Sequence, residues 1–225
     1  MGEREGASKN MKHVIIFGAP GSGKGTQSKK LEEKLGFNVV STGDLLRAEV
    51  ASGSEIGKTC ANIMAKGRFP DNGIIYQLIE TFLSDHSEAA GILYDGFPRT
   101  IEQATFLVDL LTKRNQSIDL IINVQVEKDA LVKRITGRFS CADCGEIYNR
   151  FYKTLMNEGI CDVCGSGNFK TRADDTDNTV KTRLIVYEEA TAPILDFFVD
   201  QSLRLVVVDG MQSVEDVFHQ IESAL

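Results

Sequence analysis

The chain has 225 residues, 42% of them hydrophobic, and it carries 32 acidic against 25 basic residues for a formal net charge of −7. This length supports one good core and at most a smaller satellite module. The acidic balance argues against a general attraction to nucleic acid or to an anionic membrane, and no run of about 18 apolar residues could span a bilayer. Residues 1–10, which have no hydrophobic signal region, are predicted to be a flexible leader, and a reducing cytoplasm is the expected location.

Five short apolar runs along the chain are typical of buried strands. They are bounded by glycine or polar turn residues, as buried parallel strands are. These runs are 13–18, 38–42, 91–96, 119–126 and 203–210. Because segments of helical period lie between them, the chain predicts an α/β fold with a parallel five-stranded sheet flanked by helices.

The helical segments alternate with these strands. The first contains Leu31 and Leu35, and the next four are 45–66, 73–84, 101–114 and 127–136. A later helix over 179–198 should kink or break at Pro193. The last helix should begin at Ser213, with Asp216 completing a capping box.

A glycine-rich loop follows the first strand directly. Its sequence, GAPGSGKGT at residues 18–26, leads into a helix, which is the context that a P-loop requires. In such a loop the backbone amides and the helix N-terminus hold phosphate oxygens, and a lysine reaches the β and γ phosphates. Here Gly25 separates Lys24 from Thr26, so the hydroxyl on the magnesium side is displaced by one residue. We expect a nucleoside triphosphate on Gly21, Ser22, Gly23, Lys24, Gly25 and Thr26.

Four of the five cysteines form two Cys-x-x-Cys pairs, Cys141 with Cys144 and Cys161 with Cys164. Two such pairs predict one tetrahedral zinc site, while a disulfide pair or a redox-active pair remains the alternative. The cysteine stretch interrupts the alternation of strands and helices between about 137 and 175, which indicates an insertion. Zinc held by four cysteines has no open position, so we expect a structural metal that stabilises the insertion.

Four motifs in the same order resemble the adenylate kinase family, in its long-lid form with a four-cysteine lid. They are GAPGSGKGTQ (18–27), STGDLLR (41–47), YDGFPRT (94–100) and RADD (172–175), and the resemblance extends from Met11 to Leu225. It implies a P-loop nucleoside monophosphate kinase fold. The implied division is a leader at 1–10, a core at 11–40, 71–136 and 176–225, an AMP-binding arm at 41–70 and a zinc-binding lid at 137–175.

The resemblance also implies the reaction, a reversible transfer of the γ-phosphoryl group from MgATP to AMP that gives two ADP. The attacking phosphate is already anionic at neutral pH, so positioning and charge neutralisation replace a general base. This chemistry calls for arginines, and the three histidines, at 13, 86 and 219, lie outside every motif. The expected ligands are ATP, AMP, ADP, Mg²⁺ and structural Zn²⁺, in a monomer that binds neither nucleic acid nor membrane.

The roles of individual residues are implied by the same resemblance. Residues that act on the transferring group are Lys24, Arg99, Arg138, Arg172 and Arg183. On the ATP side, Arg134 would stack on the base and Arg138 would reach the phosphates. Residues at the AMP site are Thr42, Arg47, Gly96, Arg99, Gln103, Arg172 and Arg183, with Thr42 and Gln103 beside the adenine. Asp95 would hold the water ligands of Mg²⁺, and Asp174 and Asp175 would engage Arg138 or act at the hinge of the lid.

Two other functions remain open from the sequence. A GTP:AMP phosphotransferase of the same family would share these motifs, because the donor base can be recognised by backbone and lid contacts. A zinc-ribbon module fused to a P-loop fold could act on nucleic acid instead. The negative charge and the absence of interleaved aromatic and basic residues count against that second alternative.

Overall fold

The computed structural model describes residues 11–225 except 67 and 69, so the leader predicted at 1–10 lies outside the described residues. The described strands are β1 (Lys12–Phe17), β2 (Asn38–Ser41), β3 (Gly91–Asp95), β4 (Leu120–Gln125), β5 (Arg138–Cys141), β6 (Ile147–Asn149), β7 (Phe169–Lys170) and β8 (Leu205–Asp209). The described α-helices are α1 (Lys24–Leu35), α2 (Thr42–Ser52), α3 (Glu55–Met64), α4 (Asn72–Asp85), α5 (Ile101–Lys113), α6 (Lys128–Thr136), α7 (Asp177–Val186), α8 (Pro193–Asp200) and α9 (Val214–Ala224).

Five strands form one parallel sheet in the order β2-β3-β1-β4-β8. The predicted α/β fold with a parallel five-stranded sheet is therefore confirmed. Strand β1 lies between β3 and β4. The connections that follow β1 and β3 therefore run in opposite directions across the sheet, which leaves a crevice at the carboxyl end of β1. Ligands of open α/β sheets bind at such a switch point.

Both faces of the sheet are covered, and the alternation along β1 shows how. Ile15 and Phe17 belong to a core cluster that includes side chains of α4, α5 and α8. Val14 and Ile16 point to the opposite face and pack with residues of α1 and α9. A strand buried on both faces needs a continuous apolar sequence, which explains the run HVIIF at 13–17.

The single helical segment predicted over 45–66 is wrong, because the structure has two helices there. Helix α2 ends at Ser52, and Gly53 follows with a φ of 73°. Ser54 then starts α3, with its hydroxyl accepting a hydrogen bond from the Gly57 N–H at 2.8 Å. A glycine C-cap followed by a serine N-cap is sufficient to separate two helices of similar apolar period.

The insertion forms a second, smaller sheet. Strands β5, β6 and β7 pair antiparallel in the order β6-β5-β7, between α6 and α7. We call residues 137–175 the lid and residues 41–70 the arm, after the divisions predicted above, and these boundaries remain predictions. The small strands of the lid were not predicted, since strands of two to four residues leave little periodicity in a sequence.

The end of the chain follows the prediction in part. The backbone forms a π-helix at Tyr187–Thr191, and Pro193 then begins α8, so the predicted break is confirmed. The Ser213 hydroxyl caps α9 by accepting from the Asp216 N–H at 3.2 Å. The predicted reciprocal half of that capping box is wrong, because the Asp216 carboxylate accepts from the Ser213 hydroxyl instead. Among the residues described, no helix has both the length and the apolar character needed to cross a membrane.

Candidate active site

The P-loop lies at the carboxyl end of β1 and leads into α1. Lys24 Nζ donates to the Gly18 carbonyl at 2.6 Å and to the Ala19 carbonyl at 3.1 Å, so the lysine rests on its own loop. Gly18 cannot be replaced easily, because an added Cβ would lie 2.6 Å from the Val124 carbonyl oxygen. The loop therefore has the form of a phosphate cradle with its lysine already inside it.

Lys24 lies in a strongly positive environment. Burial lowers the pKa of Lys24 to about 8, and the guanidinium groups of Arg99, Arg183 and Arg138 add to the effect against the opposing charge of Asp95. These arginines come from three separate parts of the chain, the turn after β3, the lid and α7. A cleft lined by these cationic groups attracts a polyanion such as a polyphosphate.

Asp95 ends β3 beside the P-loop, where β3 pairs with β1. Its Oδ2 atom accepts a hydrogen bond at 3.0 Å from the hydroxyl of Ser28, which lies on α1. A carboxylate next to a phosphate cradle fits the oxygen ligands that Mg²⁺ and its water molecules require. The sequence missed Ser28, although its position four residues after Lys24 places both on one face of α1.

The turn after β3 joins the start of the arm to the site. The Gly96 carbonyl accepts from Arg99 Nε and from the Thr42 hydroxyl, both at 2.7 Å. Burial and the charge of Arg183 lower the pKa of Arg99 to about 10. Thr42, Gly96 and Arg99, all predicted for the AMP site, are thus brought into direct contact.

Gln103 lies in the first turn of α5 and is almost fully buried. Its Oε1 accepts from the Arg99 N–H at 2.8 Å, and its Nε2 donates to Asn72 Oδ1 at 2.7 Å. The structure therefore places Gln103 beside Arg99, while its place beside the adenine stays a prediction. Asn72 was not predicted, and an asparagine at the start of α4 is also an ordinary residue for a helix end.

Arg47 and Arg172 meet on one carboxylate that the sequence analysis left unassigned. Asp44 Oδ1 accepts from Arg47 at 2.5 Å and lies 3.8 Å from a guanidinium nitrogen of Arg172. Burial and the charges of Arg138 and Arg47 lower the pKa of Arg172 to about 10. The spacing of three residues on α2 is a sequence signal for the Asp44–Arg47 pair, but not for the contact with Arg172.

The carboxylates of RADD bind two of the predicted arginines. Arg138 makes a two-pronged pair with Asp175, at 2.8 and 2.6 Å. Arg183 donates to Asp174 Oδ2 and to Asp175 Oδ1, each at 3.0 Å. Asp174 and Asp175 thus hold Arg138 and Arg183 together where the lid joins α7.

Arg134 lies apart from this arginine cluster. It donates to the Gly210 carbonyl at 2.9 Å, and its guanidinium carbon lies 5.3 Å from the centre of the Tyr152 ring. Asn149 in the lid donates to the Arg134 carbonyl at 2.8 Å. Arg134 is therefore placed where α6, the lid and the loop after β8 meet.

The four lid cysteines converge on one point. Their sulfur atoms all lie within 4.8 Å of one another, and the pairs Cys141–Cys164 and Cys144–Cys161 are 3.6 Å apart. Zinc–sulfur bonds of about 2.3 Å in a tetrahedron require sulfur atoms about 3.8 Å apart, so the donor set fits zinc. All four cysteines are free, which argues against the disulfide alternative.

The fold and the site together define a P-loop phosphotransferase of the nucleoside monophosphate kinase class. A family model described as "Adenylate kinase" matches residues 16–203. A protein named "Adenylate kinase" from Magnetococcus marinus is 45% identical over 208 residues, which are 92% of this chain and 97% of that protein. Proteins of the same name from Erythrobacter litoralis and Methanosarcina barkeri are 42% and 39% identical over 213 residues, which are 95% of this chain and 99% and 98% of those proteins. The chain belongs to the adenylate kinase family.

Proposed function

We propose that the chain catalyses the reversible, Mg²⁺-dependent transfer of the γ-phosphoryl group of ATP to AMP, giving two ADP. The observation that carries this proposal is that Lys24 rests on the P-loop while Arg99 lies on the turn after β3 and Arg138 and Arg183 share Asp175, all close enough for their charges to affect Lys24. Two nucleotides with several phosphates between them would offer oxygens to these cationic groups in addition to the carboxylates of Asp174 and Asp175, which Arg138 and Arg183 already contact. Transferring a phosphoryl group between them requires positioning and charge stabilisation rather than a base.

Each side of the site would bind one nucleotide. The P-loop, Arg134 and Arg138 would hold the donor, with the triphosphate along residues 21–26. Arg47 and Arg99 would hold the AMP phosphate, with Thr42, Gly96 and Gln103 nearby. Arg172 and Arg183 would neutralise the group in transfer, since forked guanidinium donors match phosphate oxygens.

Asp95 and Thr26 are the residues that would support a magnesium ion bound with the donor nucleotide. The ion would neutralise charge on the β and γ phosphates of the donor. The Asp95 carboxylate, fixed by Ser28, would orient water ligands of the ion. The donor phosphates would then present the γ-phosphorus in line with the acceptor.

The four cysteines would hold zinc as a structural ion. The aromatic side chains of Phe139, Tyr148 and Phe169 pack beside them, and this cluster is the whole apolar core described within the lid. A core of this size is too small to order about forty residues alone. The metal would therefore stabilise the lid and take no part in phosphoryl transfer.

We also propose that the protein works as a monomer in the cytoplasm. Every residue assigned above comes from a single chain, so the site needs no second subunit. The described cysteines are all free, and four of them are clustered as thiolate ligands would be, which suits a reducing compartment. Gel filtration with light scattering would test whether the protein is a monomer. The mass of a dimer at assay concentrations would contradict that proposal.

Chromatography of nucleotide mixtures tests the reaction directly. The protein and Mg²⁺ are incubated with ATP or GTP and with AMP, GMP, CMP or UMP, and every nucleotide is quantified. We expect ADP to form fastest from ATP and AMP. Preference for GTP would change the donor to that of a GTP:AMP phosphotransferase, and no transfer with any pair would overturn the proposal.

The substitution Arg99→Ala tests the placement of the AMP phosphate. Removing a guanidinium that neutralises transferring charge should lower kcat by at least about 100-fold while the fold is retained. Arg204→Ala, which removes an exposed arginine next to β8, is the matched control and should leave kcat unchanged. Near-normal turnover of Arg99→Ala would show that the AMP site is elsewhere.

A further inference from the structure

Two contacts hold the side-chain amide of Gln103 in one orientation, and the first is with the backbone of Arg99. The Arg99 N–H lies 2.8 Å from Oε1 of Gln103. A backbone N–H can only donate, so the atom that faces it must be the oxygen of the side-chain amide. The backbone of Gln103 is fixed as well, because its N–H donates a hydrogen bond to the hydroxyl of Thr100, which caps α5.

A second contact fixes the other end of the amide. Nε2 of Gln103 donates to Oδ1 of Asn72 at 2.7 Å, and Asn72 is the first residue of α4. Gln103 itself is 3% exposed, so water does not compete freely for either end. Turning the amide over would place its NH₂ against the Arg99 N–H and its oxygen against Asn72 Oδ1. Two donors would then face each other at Arg99, and two acceptors would face each other at Asn72 unless its amide turned as well, which is costly in a buried position.

The orientation of a glutamine amide decides which purine it can read. Adenine presents a 6-amino donor beside the N1 acceptor, whereas hypoxanthine and guanine present a 6-oxo acceptor beside an N1–H donor. A glutamine that rotates freely pairs with either edge, because its amide has a donor and an acceptor side by side. With its orientation fixed, the remaining hydrogen of Nε2 and the remaining lone pair of Oε1 match only one of the two patterns for a base held in one pose.

We infer that Asn72 is a positioning residue for acceptor specificity, which fixes the Gln103 amide so that 6-aminopurine monophosphates are accepted and 6-oxopurine monophosphates are rejected. This inference rests on the proposed function, since it requires the base of the acceptor to lie beside Gln103. Asn72 acts through Gln103 and need not touch the nucleotide itself. Its effect should therefore appear in the ratio of two acceptors and not only in overall activity.

The experiment compares AMP with inosine monophosphate, which differs at the 6-position. Binding of each without ATP is measured by calorimetry, and kcat/KM for each is measured with saturating MgATP. In Asn72→Ala the preference for AMP should fall by about five-fold, the effect of losing one neutral hydrogen bond. Asn72→Asp keeps an acceptor oxygen in place and should keep the preference. Gln77→Ala, which removes an exposed amide from the same helix, is the matched control and should also keep it.

Each outcome decides the inference. An unchanged preference in Asn72→Ala, or an equal loss for both acceptors, would overturn it, because a merely structural contact affects both nucleotides alike. If Asn72→Ala does not fold, Asn72→Leu removes the acceptor while filling a similar volume, and the same comparison applies. A wild-type protein that binds neither monophosphate would instead overturn the proposed function, and the inference with it.

Discussion

The lid and the arm are both appended to the same parallel sheet, but different interactions hold each of them together. Within the lid, three of the cysteines, three aromatic rings and Leu155 form a small cluster that is only partly buried, and Phe151, Met156 and Val163 are exposed. In the arm, α2 and α3 pack so closely that a Cβ at Gly57 would lie 2.2 Å from the Glu49 carbonyl oxygen.

This difference shows how two small segments solve the same problem. Two helices can bury a shared face, and the arm does this with Leu46 and Cys60, both fully buried. Short strands joined by long loops bury too little apolar surface, so the lid would depend on bonds to the proposed zinc ion. We therefore expect the lid to lose its ordered structure when its cysteine ligands are changed. The arm should lose stability when the packing between its two helices is changed.

The largest effect should come from a change to the metal ligands. Cys144→Ser removes one thiolate, and structural zinc sites contribute about 10 kcal/mol or more of apparent binding free energy at neutral pH. We expect the lid to lose zinc and to become sensitive to limited proteolysis between 137 and 175, while circular dichroism shows that the core stays folded. Cys60→Ser, in the arm, is the control and should leave the zinc content unchanged. Retained metal and an unchanged cleavage pattern in Cys144→Ser would contradict a four-cysteine site.

Close packing in the arm gives the next largest effect. Gly57→Ala forces a methyl group against the backbone of α2, and overpacking of this kind costs about 1–3 kcal/mol of unfolding free energy. Gly167→Ala in the lid is the control, because its nearest atom is the Gly159 carbonyl oxygen at 3.4 Å. Urea unfolding of both variants measures the difference. An equal loss of stability in the two variants would show that the arm is no more tightly packed than the lid.

An ion pair joins the lid to the core and provides a smaller test. Glu146 of the lid contacts Lys29 of α1 at 2.6 Å and is also paired with Lys153. Because Lys29 lies on α1, the helix that follows the P-loop, this ion pair joins the lid to the P-loop helix. Glu146→Gln should raise the KM for ATP by about two- to five-fold, as expected for a partly exposed pair.

The arm offers a matched pair as the control for that measurement. Lys58 and Glu55 are also 2.6 Å apart, but both are well exposed on α3 and contact no other element through this pair. Lys58→Gln should leave the KM for ATP unchanged. If both substitutions change KM alike, the contact between Glu146 and Lys29 does not position the lid.

The smallest expected effect is a pH dependence of stability that arises in the core, and not in the lid or the arm. His13 lies in β1, and burial lowers the pKa of its imidazole, with Asp119 and Gln116 opposing the shift and Arg114 adding to it. Its Nδ1 pairs with the Tyr94 hydroxyl at 2.9 Å, and Nε2 has no partner among the described residues. The unfolded chain therefore binds a proton at His13 before the folded chain does, and stability should fall as the pH drops below about 6.5.

Urea unfolding between pH 5 and 7 would measure this dependence. It should persist in Cys144→Ser, where metal binding no longer varies with pH, and it should be reduced in His13→Gln. A dependence that is the same with and without His13 would assign it to other groups.

Much of the fold could be predicted because its signals are local. The run HVIIF followed by GAPGSGKGT specifies a buried strand and a phosphate loop, and the cysteine spacing indicated a metal site whose sulfur atoms do converge. The break between α2 and α3 was missed, because the apolar period continues across Gly53. The contacts of Asp44 with Arg172 and of Asn72 with Gln103 could not be predicted. They join residues from separate elements, and spacing along the chain carries no information about such pairs.

The two ends of the lid meet. Arg138, at its start, is paired with Asp175, at its end, through a contact of 2.6 Å. A segment whose ends are already adjacent adds little loop-closure entropy when its length changes, because that cost grows only with the logarithm of length. Evolution or a protein engineer could therefore exchange the interior of this segment for a shorter or metal-free version without rerouting the remainder of the chain. Keeping the Arg138–Asp175 pair would be the condition for such a graft.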